Sequence, residues 1–382
     1  MYSFSYKDLF NAYYDCLKNK KNTYNAIKFS LNIYENIIDL CDDINNGKYE
    51  IGKSTAFVIT YPKYREIFAA DFRDRIVHHL VIGELMPYFE DYFIKESFSC
   101  MKNRGTLYGV KIIEQYIRDC SQNYTNKAYI LKMDVQSFFM TIDKNLLSNM
   151  LDEFIVKKYP DNKKKNCLRM LCRKIILHHP EENCERHSPI EMWSFLDKGK
   201  SLFDVDKGKG LAIGNLTSQV FANFYMTLID YYIKEVLNIK YYGRYVDDLI
   251  LIHNDKEYLK QCMSKIKIFL QDKLMLTINP NKIYLQPATH GVNFIGATIM
   301  TNRIYCGNRT ISALINKLIK TYRKYEIKYS SKFMSSINSY LGLMKHYSTY
   351  NIRKRIFNNY ISEEWKMHIK IFKNLNKINI IE

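Results

Sequence analysis

The stretch Lys240-Tyr-Tyr-Gly-Arg-Tyr-Val-Asp-Asp-Leu-Ile-Leu-Ile-His253 decides the fold class. Two apolar and aromatic runs, Lys240–Tyr245 and Leu249–His253, flank a tight turn at Val246–Asp248, which is the pattern of a β-hairpin. Taken alone, an Asp-Asp pair is an ordinary turn signal. A second run changes its weight. Ala128–Met133 is short and apolar, reads as a buried strand, and delivers Asp134 at its end. A strand-end carboxylate facing a hairpin-tip pair places acidic oxygens on rigid elements. Phosphoryl transfer by two metal ions needs that arrangement, with bridging carboxylates holding ions about 3.5–4 Å apart. Mg2+ suits it, because it prefers a few hard carboxylates plus substrate oxygens to an all-protein cage.

Outward from this pair the chain alternates helix and strand signals. Up to about residue 50, Tyr6, Leu9, Phe10 and Tyr13 recur at helical spacing and predict two amphipathic helices. A strand is expected at Ser54–Tyr61, a turn at 62–65, and a helix from Asp71 to Phe93. The segment from Tyr159 to Gly210 shows little periodicity and contains the basic run Lys163–Lys165. It reads as an insertion or a mobile finger-like element. Leu216–Leu237 predicts one long helix, about Asp255–Leu274 another, with strands to about Tyr305 and three basic helices from Ser312 onward. The expected class is α+β.

Charge points to a polyanionic partner. The 382 residues carry 57 Lys and Arg against 39 Asp and Glu, a formal charge of +18. Between Thr301 and Glu382 the ratio is 16 to 4. A protein this basic commonly meets nucleic acid, although a solvated helical face gives the same count. The nine cysteines are scattered without CxxC pairs, which suits a reducing compartment. No signal-peptide core is present, and no apolar run approaches the ~18–20 residues that span a bilayer. The expected location is therefore cytoplasmic, without a membrane. His178, His179, Cys184 and His187 fit no standard zinc spacing.

Three further motifs bear on chemistry. Gly210-Leu-Ala-Ile-Gly-Asn-Leu-Thr-Ser-Gln219 is a glycine-hinged loop opening a helix, where backbone can approach a base pair and Ser218 and Gln219 offer donors. In Tyr61-Pro-Lys-Tyr-Arg65, Lys63 and Arg65 lie two apart on an extended segment and can clamp a triphosphate from one face; a plain surface pair is the alternative. Asn279-Pro-Asn-Lys282 and Gly291-Val-Asn-Phe-Ile-Gly296 follow the hairpin.

These residues carry a family resemblance. Tyr245-Val-Asp-Asp248 resembles the signature box of reverse transcriptases, and Leu131-Lys-Met-Asp-Val-Gln-Ser-Phe-Phe139 resembles their first catalytic box. Gly-Asn-Leu-Thr-Ser-Gln resembles the reverse transcriptases of diversity-generating retroelements in particular. Ala212 stands where that family usually has Pro, and Ile213 stands where other polymerases keep Gln. The resemblance spans about residues 50–300 in ordered boxes.

It implies a right-hand polymerase. Fingers with N-terminal helices would occupy 1–125, and a palm whose antiparallel sheet bears the catalytic hairpin would occupy 126–300. A fingers-like insertion is expected at about 150–209 and a basic helical thumb at 301–382. It implies catalysis by Asp134, Asp247 and Asp248, with two Mg2+ (Mn2+ able to substitute) held by Asp134, Val135, Asp247 and Asp248. Lys63, Arg65, Phe139, Ile213, Gly214, Gln219 and Lys282 would meet the nucleotide, Phe139 excluding a ribose 2′-OH and Lys282 protonating pyrophosphate. Arg75, Lys102, Arg104, Tyr245 and Gly296 would meet template or primer, and Arg73, like Arg75, would reach template phosphate or base. The implied partners are an RNA template and RNA/DNA hybrid, dNTPs, and a small basic accessory protein, possibly in an oligomer. The implied activity is error-prone copying of a template repeat, with misincorporation opposite adenine. Related retron, group II intron and phage-defence enzymes share these boxes.

Overall fold

The computed structural model of the chain describes residues 3–18, 20–322, 330–361 and 363–381. It begins with three helices, Tyr6–Leu17, Tyr24–Leu31 and Ile33–Asn45, where periodicity led to two. The difference is a one-residue break, for Asn32 ends the second helix and starts the third. Strands β1 (Ser54–Ile59) and β2 (Arg65–Ala69) then pair as an antiparallel hairpin. Helix Phe72–Tyr92 follows, its start capped by Asp71 accepting the Arg73 N–H. Helix Thr106–Cys120 leads into β3 (Tyr129–Asp134).

The segment after Tyr159 is the main correction. Helix Lys163–Leu177 lies within it and buries Cys167, Leu168, Leu171, Cys172 and Ile176, which recur at helical spacing. The lysine run that hid this period is merely its first turn. Next, β4 (Cys184–Arg186) joins β1 in parallel, completing a sheet of order β2-β1-β4. The insertion is thus a packed part of the first sheet.

Leu216–Leu237 divides into helix Leu216–Tyr225, helix Thr227–Tyr231 and the π-helical turn Tyr232–Val236. Strands β5 (Tyr241–Tyr245) and β6 (Asp248–His253) come next, then helix Lys256–Leu274 and β7 (Tyr284–Pro287). With β3 they form a four-stranded antiparallel sheet of order β5-β6-β3-β7. This sheet separates two cores, which explains the unbroken apolar run of β6. Leu249 and Leu251 enter the core shared with the N-terminal helices, while Ile250 and Ile252 enter the one shared with the C-terminal helices.

Strands β8 (Val292–Phe294), β9 (Ala297–Met300) and β10 (Arg303–Cys306) form a meander. Helices Asn308–Tyr322, Ser330–Met344 and Tyr350–Tyr360 pack on it through Leu314, Leu318, Ile337, Leu341 and Phe357. The expected charge is carried by the outer two, for the middle helix has Lys332 alone. A closing hairpin, β11 (Ile369–Ile371) with β12 (Ile378–Ile380), was not expected from the sequence. All nine cysteines are free.

Candidate active site

Strand register brings the carboxylates together. Asp134, the last residue of β3, lies opposite Asp248, the first residue of β6. Tyr245 also pairs with Asp248, so the hairpin turn is Val246–Asp247 alone, and Asp248 belongs to the strand instead of the turn. Val246 has φ 57°, a left-handed conformation that is costly for a β-branched side chain and persists only when its surroundings hold it.

Those surroundings are a buried polar network. The Val246 N–H donates to Ser99 Oγ (3.2 Å), and its carbonyl accepts from Arg244 Nη1 (3.0 Å). Arg244 is fully buried and ion-paired with Asp230, through Nε (2.7 Å) and Nη2 (2.5 Å). Tyr242 donates to the same carboxylate at 2.7 Å, and Arg244 Nη1 also reaches Asn223 Oδ1 at 2.8 Å. On the other side of the turn, the Val135 N–H donates to the Asp247 carbonyl at 3.3 Å. The turn carrying Asp247 is thereby clamped from both sides.

Two lysines neutralise the acids. Lys282 Nζ lies 2.6 Å from Asp134 Oδ2, and Lys132 Nζ lies 3.2 Å from Asp248 Oδ1. Lys132 also donates to the Asn293 carbonyl (3.2 Å), tying the acid pair to the β8–β9 hairpin. Burial and then the charges of Asp134 and Asp248 push the Asp247 carboxyl up to about 6. Burial raises Asp248 as well, against the pull of Lys132. Partial burial opposes the Lys282 ammonium, but the three carboxylates hold its pKa above the usual value. Among the described residues no three acidic, His or Cys side chains form a ready cage for one ion. What exists is a repelling acid cluster, half closed by lysines, and this suits cations that arrive with substrate oxygens.

The Gly210–Gln219 loop packs on the segment that follows Asp134. Leu211 N–H donates to the Phe139 carbonyl (2.7 Å), and the Ile213 carbonyl accepts from Phe68 N–H (2.8 Å), so the loop joins the catalytic strand's exit to β2. Gly214 has φ 127°, and a Cβ there would lie 2.8 Å from Ile67 Cγ2 and 2.9 Å from the Phe68 carbonyl. The close approach that requires glycine is therefore to β2, where the sequence suggested a base pair. Phe139 and Ile213 are half-buried against the same small apolar cluster as Phe68, Leu202 and Ala212. Ser218 is buried; Gln219 is exposed.

Lys63 and Arg65 are both exposed. Arg65 opens β2, but Lys63 sits in the bend before it, so the two do not share an extended segment. Arg75 Nε and Arg104 Nη1 each donate to a backbone carbonyl, of Ala70 and Ile94, both at 2.8 Å. Arg73 pairs with Asp43 at 2.5 Å, away from the acids in the network of Tyr49 and Glu50. Lys102 is exposed, Tyr245 half-buried, and Gly296 occupies the β8–β9 turn, where its carbonyl accepts from the Gly307 N–H and a Cβ would meet nothing.

Residues 51–299 match the family described as reverse transcriptase (RNA-dependent DNA polymerase). The chain belongs to that family. Reverse transcriptase domains use divalent metal ions, in keeping with the acid cluster. A protein of Saccharomyces cerevisiae named for intron 2 of COX1/OXI3 is 24% identical over 333 residues, covering 74% of this chain and 36% of the relative. The chain thus spans little more than a third of that relative's length. Among solved structures, apo telomerase from Candida tropicalis is similar at a TM-score of 0.49 and 14% identity, covering 80% of this chain and 55% of that one. Telomerase from Candida albicans with a TWJ fragment of telomeric RNA gives 0.47 and 14%, covering 81% and 55%. No helix among the described residues is long and apolar enough to cross a membrane.

Sequence reasoning missed several residues of this reverse transcriptase domain. Arg244 was read as part of a strand, yet a charge between apolar neighbours on a buried strand must find a partner. Its partner Asp230 lies on a helix that looked simply amphipathic. Glu66, between Arg65 and Ile67 in β2, gave no such signal. It is buried and accepts from Trp193 Nε1, Ser201 Oγ and the Leu202 N–H, each at 2.7 Å.

Proposed function

We propose that this chain is an RNA-directed DNA polymerase built as a right hand. Residues 1–125 form N-terminal helices and fingers, 126–300 a palm with an insertion at about 150–209, and 301–382 the thumb. The observation that carries the reading is the pairing of Asp134 with Asp248 beside the clamped turn of Asp247. When bound, two Mg2+ held by Asp134, Val135, Asp247 and Asp248 supply Lewis acidity for attack of a primer 3′-hydroxyl on the α-phosphate. Lys63 and Arg65 grip the triphosphate, and Lys282, already at the acid cluster, donates a proton to the leaving pyrophosphate. Phe139 stands beneath the sugar and excludes a 2′-OH. Arg75, Lys102, Arg104, Tyr245 and Gly296 line the path of template and primer, and the basic outer helices of the thumb hold phosphates. Primer extension on an RNA template with dNTPs and Mg2+ tests this reading. Absence of any extension would overturn it.

The finer reading is a polymerase of a diversity-generating retroelement, cytoplasmic and served by a small basic accessory protein. Gly214-Asn-Leu-Thr-Ser-Gln219 supports it. Ile213 removes a polar contact to the nascent base pair and lowers fidelity, so Ile213→Gln should reduce the error rate; an unchanged error spectrum would sink that role. The intron-named yeast relative favours a second reading, a polymerase of group II intron type. Sequencing cDNA made on the cognate RNA separates them. Substitutions concentrated opposite adenine support diversification, and faithful copying supports the second.

A further inference from the structure

The segment between β4 and the Gly210 loop does more than extend a sheet. Its last turns pass close to one element before Lys200 and are anchored to another just after it. On one side Gly199, at φ 71°, brings the backbone to Ser137, where a Cβ would lie 3.8 Å from Ser137 Oγ. Ser137 directly precedes Phe138 and Phe139 at the exit of the catalytic strand. On the other side Ser201 Oγ and the Leu202 N–H both donate to buried Glu66, which lies between Arg65 and Ile67 in β2. Leu202 then packs in the cluster holding Phe139 and Ile213, and a Cβ on Gly210 would lie 2.5 Å from its Cδ2.

Lys200 is therefore strung between the strand that presents Asp134 and the strand that presents Arg65. Its side chain is exposed. Partial desolvation lowers its pKa, while the carboxylates of Asp247 and Asp134 pull it back and Lys282 repels it. An ammonium on a loop that passes Ser137 and is tied to Glu66, and whose charge is felt by both acids and by Lys282, can meet the phosphates of a nucleotide if those acids hold its metals.

We propose that Lys200 binds the triphosphate of the incoming nucleotide, as a basic contact additional to Lys63, Arg65 and Lys282, and that Glu66 is the positioning residue that holds its loop. The inference rests on the polymerase reading above. It makes the insertion part of the substrate site, since a segment with this anchor cannot move without displacing Lys200.

Steady-state primer extension on an RNA template, with the dNTP varied, tests it alongside inhibition by inorganic tripolyphosphate. Loss of one charge-assisted phosphate contact in Lys200→Ala should raise KM for dNTP about tenfold, with kcat within about threefold. Tripolyphosphate inhibition should weaken by a similar factor, and Lys200→Arg should restore most of both. Ser201→Ala, which removes one donor to Glu66, should raise KM by about threefold through misplacement of the loop. The proposal is overturned if Lys200→Ala leaves KM and tripolyphosphate inhibition within about twofold of the unaltered chain, or lowers kcat alone. An unchanged KM in Ser201→Ala overturns the anchoring role. A chain that extends no primer at all brings down the polymerase reading, whereas normal extension with an indifferent Lys200→Ala brings down this inference only.

Discussion

The four-stranded sheet that carries the acids and the three-stranded sheet that carries Arg65 are built on opposite plans. In the first, β3 and β6 are buried on both faces, and the three carboxylates are set by strand register and by a buried ion pair under the turn. In the second, β1 and β2 form a short hairpin on which Arg65, with Lys63 just before it, is exposed, and its third strand comes from a segment far along the chain. One buried carboxylate, Glu66, holds that segment in place. Carboxylates that must share ions need positions fixed to fractions of an ångström, which rigid burial supplies. Cations that grip a flexible triphosphate tolerate exposure and can follow their ligand.

The contrast can be broken most directly at Asp247. Asp247→Ala should cut primer extension by at least ~10³-fold, about 4 kcal/mol of transition-state stabilisation, while RNA binding persists. Residual synthesis within about tenfold of the unaltered chain would contradict the metal assignment. Next comes the clamp beneath it. Asp230→Ala strands Arg244 in the core and should cost about 3 kcal/mol of stability in chemical denaturation, because an uncompensated buried charge remains. A loss below ~1 kcal/mol would show that the ion pair does not hold this sheet.

In the other sheet the same kind of change should act locally. Glu66→Ala leaves three donors without their acceptor and should cost about 2 kcal/mol. Hydrogen exchange should rise in 184–205 but not in β3 or β6; uniform loss of protection would erase the distinction between the two sheets. The smallest effect concerns pH. A carboxyl pushed up to about 6 stays protonated at higher pH than an ordinary one, so protons compete with metal as pH falls toward that value. Divalent-ion affinity, followed by titration calorimetry, should therefore drop by roughly twofold between pH 8 and pH 6, and Asp247→Asn should flatten that dependence.

Much of the acid-bearing sheet was legible beforehand. The alternation and length of Lys240–His253 and Ala128–Asp134 define strands by local rules, and three carboxylates at their ends define a chemistry. Even there the turn was drawn one residue too wide, because Asp248 pairs with both Tyr245 and Asp134 and so belongs to the strand. The insertion was misread for a different reason. Helix Lys163–Leu177 had its period masked by a basic first turn, and β4 is too short to announce itself without β1 beside it.

The amino-acid order alone determined which residues could do chemistry and which local elements would carry them, since helix periods, strand alternation and turn residues act over a few positions. Only tertiary packing decided that Arg244 would meet Asp230, that Gly214 would press on β2, and that Glu66 would hold the turn at Ser201–Leu202. Those outcomes depend on desolvation and on close approach between segments remote in the chain, where a buried charge or a missing Cβ has meaning only once its neighbour is in place.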